Sequence, residues 1–318
     1  MITALAGGVG AARLLRGLVR IVPPDQVTAV VNTGDDIELH GLHISPDIDT
    51  VLYTLAGLSD DERGWGLSGE SWVVMDRLAA IGGDSWFRLG DRDLATHLLR
   101  TSRLAAGATL SEATAELASA LGVVTRVLPM ADDPVRTKLT LRNGPEVGFQ
   151  EYFVGRRHAV AVSSLRFAGA AAARPAPGVL EAIGAATTVV LCPSNPLLSI
   201  GPPLAVPGIA DALTDRRETV VAVSPIVAGA ALKGPADRLL GELGHEVSAV
   251  GVARLYAGIA GTLVIDEADA ALAGGVRAAG LRCVVAPTIM SDPERAARLA
   301  RTVLSAAGHP TSEGSHLA

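Results

Sequence analysis

Short apolar runs recur along the chain, at Ile2–Ala6, Val27–Val31, Thr262–Ile265 and residues 158–163, 187–192, 219–224 and 282–286. Several are almost continuously hydrophobic, the pattern of strands covered on both faces of a parallel sheet. Helical periodicity alternates with them. It is clearest at the end, where Asp292 caps a helix, Pro293 takes its first turn and Glu294 complements its dipole. Ala296, Leu299, Ala300, Val303 and Leu304 form its apolar stripe, and Gly308 and Pro310 stop it. The pattern predicts an α/β fold: a Rossmann-like, mostly parallel sheet with a smaller, mostly helical inserted domain.

The middle of the chain reads differently. Residues 60–128 show helices and loops and few strands, with Ser111 as a helix cap and Leu117 and Leu121 on the buried side; residues 147–154 have strand character. The Ala/Pro-rich stretch 168–177 reads as a flexible connection. The expected division is therefore a phosphate- or nucleotide-binding core from residues 1–58 plus 180–318, and a substrate domain from residues 59–179. The tail from Thr311 is short and polar.

The first run leads into Gly7-Gly8-Val9-Gly10 and then a helix with Leu14, Leu15, Leu18 and Val19. Strand, glycine turn and helix make a phosphate cradle, because bare backbone approaches the ligand closely and helix N-terminal amides favour its charge. No Gly-Lys-Ser/Thr follows, so this is not a Walker A loop. The dinucleotide pattern also fails, because Arg13 stands at its last place. Taken alone, such a loop is also what a tight strand-to-helix turn looks like.

Composition narrows the class. The chain has 318 residues, 49% of them hydrophobic, yet no run of about 20 uncharged apolar residues that would suggest a membrane span. A net charge of −6 argues against a general nucleic-acid binder. Cys192 and Cys283 lie in apolar runs and read as buried thiols of a cytoplasmic protein without a signal peptide.

Carboxylates cluster after the second run. Asn32-Thr33-Gly34-Asp35-Asp36 stands where a strand should end, the side of an open α/β sheet on which ligands collect. Ser45-Pro46-Asp47-Ile48-Asp49 opens a helix with Ser45 as cap and Ile48, Val51, Leu52 and Leu55 as its buried face. Asp35, Asp36, Asp47 and Asp49 thus fall within fifteen residues, a density of oxygen ligands that suits Mg²⁺ beside phosphate. The plainer reading is an acidic turn and a dipole-complementing first helical turn. His40 and His43 precede that helix and read as loop histidines. The segment 84–93 sets Arg88 and Arg92 beside Trp86 and Phe87, either as a ligand-facing loop or as a helix start capped by Asp91 or Asp93. The acidic turn Ala131-Asp132-Asp133, the loop Cys192-Pro193-Ser194-Asn195-Pro196, Ser224-Pro225 and Lys233-Gly234-Pro235 each stand where a strand should end or a helix begin. No Gly-x-Ser-x-Gly elbow is present.

Together GGVGAAR (7–13), VNTGDD (31–36), ISPDIDT (44–50), RGWG (63–66), LGDRDLATHLLR (89–100), LPMADDPV (128–135), PSNPLLSIGP (193–202), AVSPI (222–226) and KGPAD (233–237) resemble the 2-phospho-L-lactate transferase family of coenzyme F-420 biosynthesis. They run in order from residue 1 to about 295. The resemblance implies a Mg²⁺-dependent cytoplasmic homodimer. Its implied reaction moves a phospho-enolpyruvyl or 2-phospho-L-lactyl unit from a guanosine diphosphate-linked donor to the deazaflavin alcohol Fo, with GMP released. It also implies roles for particular residues. Gly7, Gly8, Gly10 and Arg13 would hold donor phosphate, and Asn32, Ser194 and Asn195 would bind substrate. Asp35 and Asp49 would take Mg²⁺, with Asp36 as competitor, and Asp35, Asp36 and Asp49 would form the catalytic set. Asp49 and Arg88 would meet Fo, and Asp36 or Asp47 would accept the hydroxyl proton. Asp49→Asn is expected to abolish transfer while leaving the fold intact. Where the family often has tryptophan after the acidic pair, this chain has Glu38.

Two other classes fit the glycine loop: an NAD(P)-dependent oxidoreductase with Asp35 or Asp36 on the ribose, and a non-catalytic nucleotide sensor of similar fold. The three-carbon acid on the donor (lactate, enolpyruvate or glycerate) is not readable from any residue, nor are the guanine-reading groups.

Overall fold

The computed structural model describes residues 1–308. Its centre is a parallel sheet of seven strands: β1 (Ile2–Ala6), β2 (Val27–Val31), β3 (Arg126–Pro129), β4 (Thr188–Leu191), β5 (Val220–Val223), β6 (Thr262–Ile265) and β7 (Arg282–Val285). Their order across the sheet is β7-β6-β5-β4-β1-β2-β3. The fold is α/β and Rossmann-like, and its strand order reverses between β1 and β4. That reversal opens a crevice at the carboxyl ends of β1 and β4, where ligands of such sheets bind.

The apolar runs divide between two cores by simple alternation. Leu5, Val30, Val189, Leu191, Val220, Ala222, Leu263 and Ile265 face one layer of helices. Ala4, Ala6, Ala29, Val31, Val190, Val221, Val223 and Val264 face the other. Both faces are covered, so neither set needs a polar partner, and the runs read as continuously hydrophobic.

The second layer holds α1 (Gly8–Leu18), α2 (Pro46–Leu55) and the C-terminal α4 (Pro293–Ala306), with α3 (Asp93–Ala105) lying beyond α2. Helix α1 packs closely on α4 because Gly17 has no side chain: a Cβ there would strike the backbone carbonyl of Ala296. Gly17→Ala is expected to cost about 1–3 kcal/mol, read as a lower urea midpoint; an unchanged midpoint would show that the helices part freely. Asp292 caps α4 through the Arg295 amide at 2.8 Å, as the sequence suggests, and Gly308 ends it with φ +87°. Pro310 and the tail from Thr311 lie outside the described residues.

Several local expectations are corrected. β3 comes from the stretch read as helices and loops; its four residues are too few to show a period. Residues 158–163 do not join the central sheet. They lead instead into Val162–Ala168, which pairs with Arg136–Leu141 and, through it, Glu146–Gly148 in a three-stranded antiparallel sheet. Residues 151–155 coil rather than extend. The Ala/Pro stretch is packed against the core: Ala170, Ala173 and Ala176 are buried, and the Ala176 amide bonds the Met130 carbonyl. Thr109, not Ser111, caps Leu110–Ala120, in a reciprocal box with Glu112.

Candidate functional site

At the crevice the loops after β1 and β4 interlock. Ser194 donates from Oγ to the Gly7 carbonyl at 2.8 Å, and a Cβ on Gly10 would collide with the Pro193 carbonyl. On Gly7 it would lie 2.7 Å from Ser199 Cβ and 2.8 Å from Asp47 Oδ2. The glycines are therefore required by close approach. Gly8 alone of the three has a left-handed backbone, φ +70°. Asn195 accepts from the Leu197 and Leu198 amides. Ser194 and Asn195 thus bond backbone here and shape the loop.

The carboxylates gather around Asn32 at the end of β2. The buried Asn32 amide donates to Asp47 Oδ2 at 2.9 Å, and its oxygen accepts the Gly34 amide at 2.8 Å. Asp47 Oδ1 accepts the Gly8 amide at 2.8 Å, tying α2 to the glycine loop. Ser45 does not cap α2 through its side chain; its Oγ donates to Asp36 Oδ2 at 2.9 Å, which His43 Nε2 also meets at 3.0 Å. The Oδ1 atoms of Asp35 and Asp36 are buried with no hydrogen-bond partner among the described residues. Burial first, then the Asp47 charge, pushes the Asp35 carboxyl well above the usual range, against a hydrogen bond from Asn32. Two orphaned carboxylate oxygens among crowded acids form a donor set that fits a hard divalent cation.

Burial pushes the Asp47 carboxyl up to about 6, against hydrogen bonds from Asn32 and the Gly8 amide. The raised value means that protonated Asp47 favours the fold: the contribution is complete below 3.8 and is lost as pH rises through about 6. Metal-free protein is therefore expected to melt progressively lower across that window. The slope should be shallower in Asp47→Asn; equal slopes would assign the effect to other groups.

Asp49 occupies a different pocket. Residues two apart on a helix face different ways, so Asp47 turns to the glycine loop while Asp49 turns to α3. The immediate partners of the expected Mg²⁺ pair differ: Asp35 faces Asn32, Asp47 and Asp36, and Asp49 faces Arg100, His97 and Asp93. Both Asp49 oxygens accept from the fully buried Arg100, one at 3.2 Å. Burial alone would lower Arg100, but the Asp49 charge and hydrogen bond hold it above its usual value. A guanidinium does not deprotonate in a protein, so Arg100 is charged; burial pushes the Asp49 carboxyl up, against the Arg100 charge that favours its ionised form. His97 Nδ1 lies 3.6 Å from Asp49, and its Nε2 is 3.3 Å from Asp93. Tyr53 donates to Asp93, and burial beside Asp49 and Asp93 pushes its hydroxyl up. Asp49, Asp93 and His97 each offer a ligand atom within 4.8 Å of the others, a group that could hold a metal ion. Arg100 already takes both oxygens of Asp49 and competes with any cation there.

Arg13 lines a cleft beside the glycine loop with Val9, Thr50, Tyr53, Asp60 and Trp65. Arg88 is placed on the outside instead, bonded to Asp76 at 2.6 Å and lying over the Trp72 ring. Asp91 caps a different helix from the one expected, accepting the Val73 and Val74 amides. Asp132 and Asp133 likewise hold the Ser111 and Arg174 amides. Sequence reasoning missed His43 as a partner of Asp36 and Arg100 as the partner of Asp49. The second had a signal: Asp93, His97 and Arg100 stand at i, i+4 and i+7 on one helical face.

A family model described as 2-phospho-L-lactate transferase CofD matches residues 2–284. A phosphoenolpyruvate transferase of Streptomyces griseus subsp. griseus is 46% identical over 311 residues, covering 96% of this chain and 98% of that protein. A 2-phospho-L-lactate transferase of Methanosarcina mazei is 38% identical over 301 residues, covering 95% and 98%. A crystal structure of a UPF0052-family protein from Bacillus halodurans superposes with TM-score 0.61 at 17% identity, covering 95% of this chain and 98% of that one, and shares the fold. No helix among the described residues is long and apolar enough to cross a membrane. With nearly the whole chain matched by the family model and by relatives of this identity, the protein belongs to the CofD family of 2-phospho-L-lactate and phosphoenolpyruvate transferases.

Proposed function

We propose that this enzyme moves a phospho-enolpyruvyl group from a guanosine diphosphate-linked donor to the deazaflavin alcohol Fo, releasing GMP and forming the dehydro precursor of coenzyme F-420. The observation that carries the reading is the interlock at the strand-order reversal, where the glycine loop, the loop after β4 and the Asp35–Asp36–Asp47 cluster meet. The choice of enolpyruvate over lactate is supported by the names of its more similar relatives.

The chain's own groups fit the chemistry. Of the loop glycines only Gly8 has open space beside it for a donor phosphate, Gly7 and Gly10 being packed against Ser199, Asp47 and Pro193, and Arg13 would supply positive charge nearby. Asp35 and Asp36, with their orphaned oxygens, would hold Mg²⁺. When bound, that ion neutralises the diphosphate and stabilises departing GMP. The Fo hydroxyl oxygen attacks the phosphorus beside the enolpyruvyl group as the bond to the GMP oxygen breaks. Asp47, with its carboxyl near 6, suits the role of proton acceptor at a carboxylate oxygen. Asp49 serves by fixing α2 against α3, which sets the angle at which Asp47 meets the loop. Residues 59–179 would supply the acceptor side, with Arg88 at its rim, in a cytoplasmic homodimer.

The test is a mass-spectrometric transfer assay with purified protein, Mg²⁺, Fo and guanylyl donors carrying enolpyruvate, lactate or glycerate. A phospho-enolpyruvyl adduct of Fo is expected. Absence of product with every donor, while GDP still binds, would replace the transferase reading with that of a nucleotide sensor.

A further inference from the structure

We propose that Lys233 forms, with Arg13, a two-armed cationic clamp that holds a phosphate group across the cleft beside the glycine loop. The transferase reading is needed only to name that phosphate as the donor's. Three distant segments build the cleft: α1 with Arg13, α2 with Tyr53, and the loop with Asp60 and Trp65. The Lys233 ammonium lies against Gly64 of that loop, so closely that a Cβ on Gly64 would collide with it.

The charges of the cleft do not balance locally. Asp60 is taken by Arg63 at 2.7 Å, and Asp61 by Arg16 at 3.0 Å. Arg13 has only a long contact, 3.5 Å, to the Met290 carbonyl. Lys233 is exposed and makes no hydrogen bond or ion pair among the described residues. Partial burial first, then the nearby Arg13 charge, lowers its pKa. An anion between them relieves that repulsion. Of the 27 basic residues only Lys138 and Lys233 are lysines, and Lys138 has the charge of Glu146 nearby. Lys233 is thus a compact, mobile ammonium with no carboxylate, a form of charge suited to phosphate.

The experiment is titration calorimetry of the full chain with inorganic pyrophosphate and with GDP, for the wild type, Lys233→Met and Lys233→Arg. Lys233→Met is expected to weaken both ligands about tenfold with an unchanged melting temperature, and Lys233→Arg to retain most of the affinity. In parallel, amine-reactive labelling read by mass spectrometry should show pyrophosphate protecting Lys233 but not Lys138. Equal pyrophosphate affinity in wild type and Lys233→Met, no pyrophosphate binding to the wild type, or equal labelling with and without pyrophosphate overturns the clamp. Wild-type turnover with guanylyl donors tests the transferase reading separately: pyrophosphate affinity that depends on Lys233 without turnover keeps the clamp and removes the reading.

Discussion

Asp49→Ala is expected to lower the unfolding free energy by about 3–5 kcal/mol. Its carboxylate is the direct counter-ion of Arg100, and both side chains are buried. Removing the anion leaves a buried guanidinium with only long contacts to the His43 carbonyl and the His97 ring, and that poorly compensated charge, more than the lost contact, sets the magnitude. His97 does not replace it, because it carries no negative charge. The paired variant Asp49→Leu with Arg100→Met removes both charges and should recover most of the loss. Urea unfolding of the wild type, both single variants and the pair makes a double-mutant cycle. A loss below about 1 kcal/mol for Asp49→Ala would place the pair in contact with water and refute its description as a buried ion pair. The expectation that Asp49→Asn leaves the fold intact is revised on the same grounds: an amide takes the place of the carboxylate bonded directly to Arg100. Lost transfer in that variant must be read beside its stability.

Asp35→Asn should act in the opposite way on the two properties. Transfer is expected to fall at least about a hundredfold, because the proposed cation site would lose an anionic ligand. Metal-free stability is expected to rise. The raised carboxyl value of Asp35 means that ionised Asp35 disfavours the fold: its stabilising contribution is complete below 3.8 and is lost as pH rises through the elevated folded-state value. Asparagine has no charge to desolvate, so near neutral pH with a chelator present the variant should melt above the wild type. Added Mg²⁺ should raise the wild type more than the variant and narrow the difference. A variant that melts lower in chelator would show that Asp35 makes stabilising contacts as an anion and would remove it from the cation site.

Much of the core was legible in the sequence, because strands covered on both faces leave continuous apolar runs. β1, β2 and β6 stand at the residues the pattern marks. β3 escaped because four residues ending in Pro129, beside a helix, carry no readable period. The carboxylates around Asn32 were visible as a cluster, since they come from two nearby segments. Their division was not: it depends on the rotation of α2, which sends Asp47 and Asp49 to opposite neighbours. Asp91 shows the same limit. Its spacing suited the helix beginning at Asp93, but the chain folds back and gives its carboxylate to Val73 and Val74. Local propensity assigns a cap to the next helix, and tertiary structure is free to give it to another.

The contact of Gly17 with Ala296 bears on how the chain is made. α1 and the helix that braces it come from opposite ends of the described residues, so their pairing waits until both have been synthesised. The bond from Ser194 to Gly7 spans 187 residues. Contacts between segments so distant close slowly, so Asp47, nearer in sequence, is the first of these partners to reach the loop.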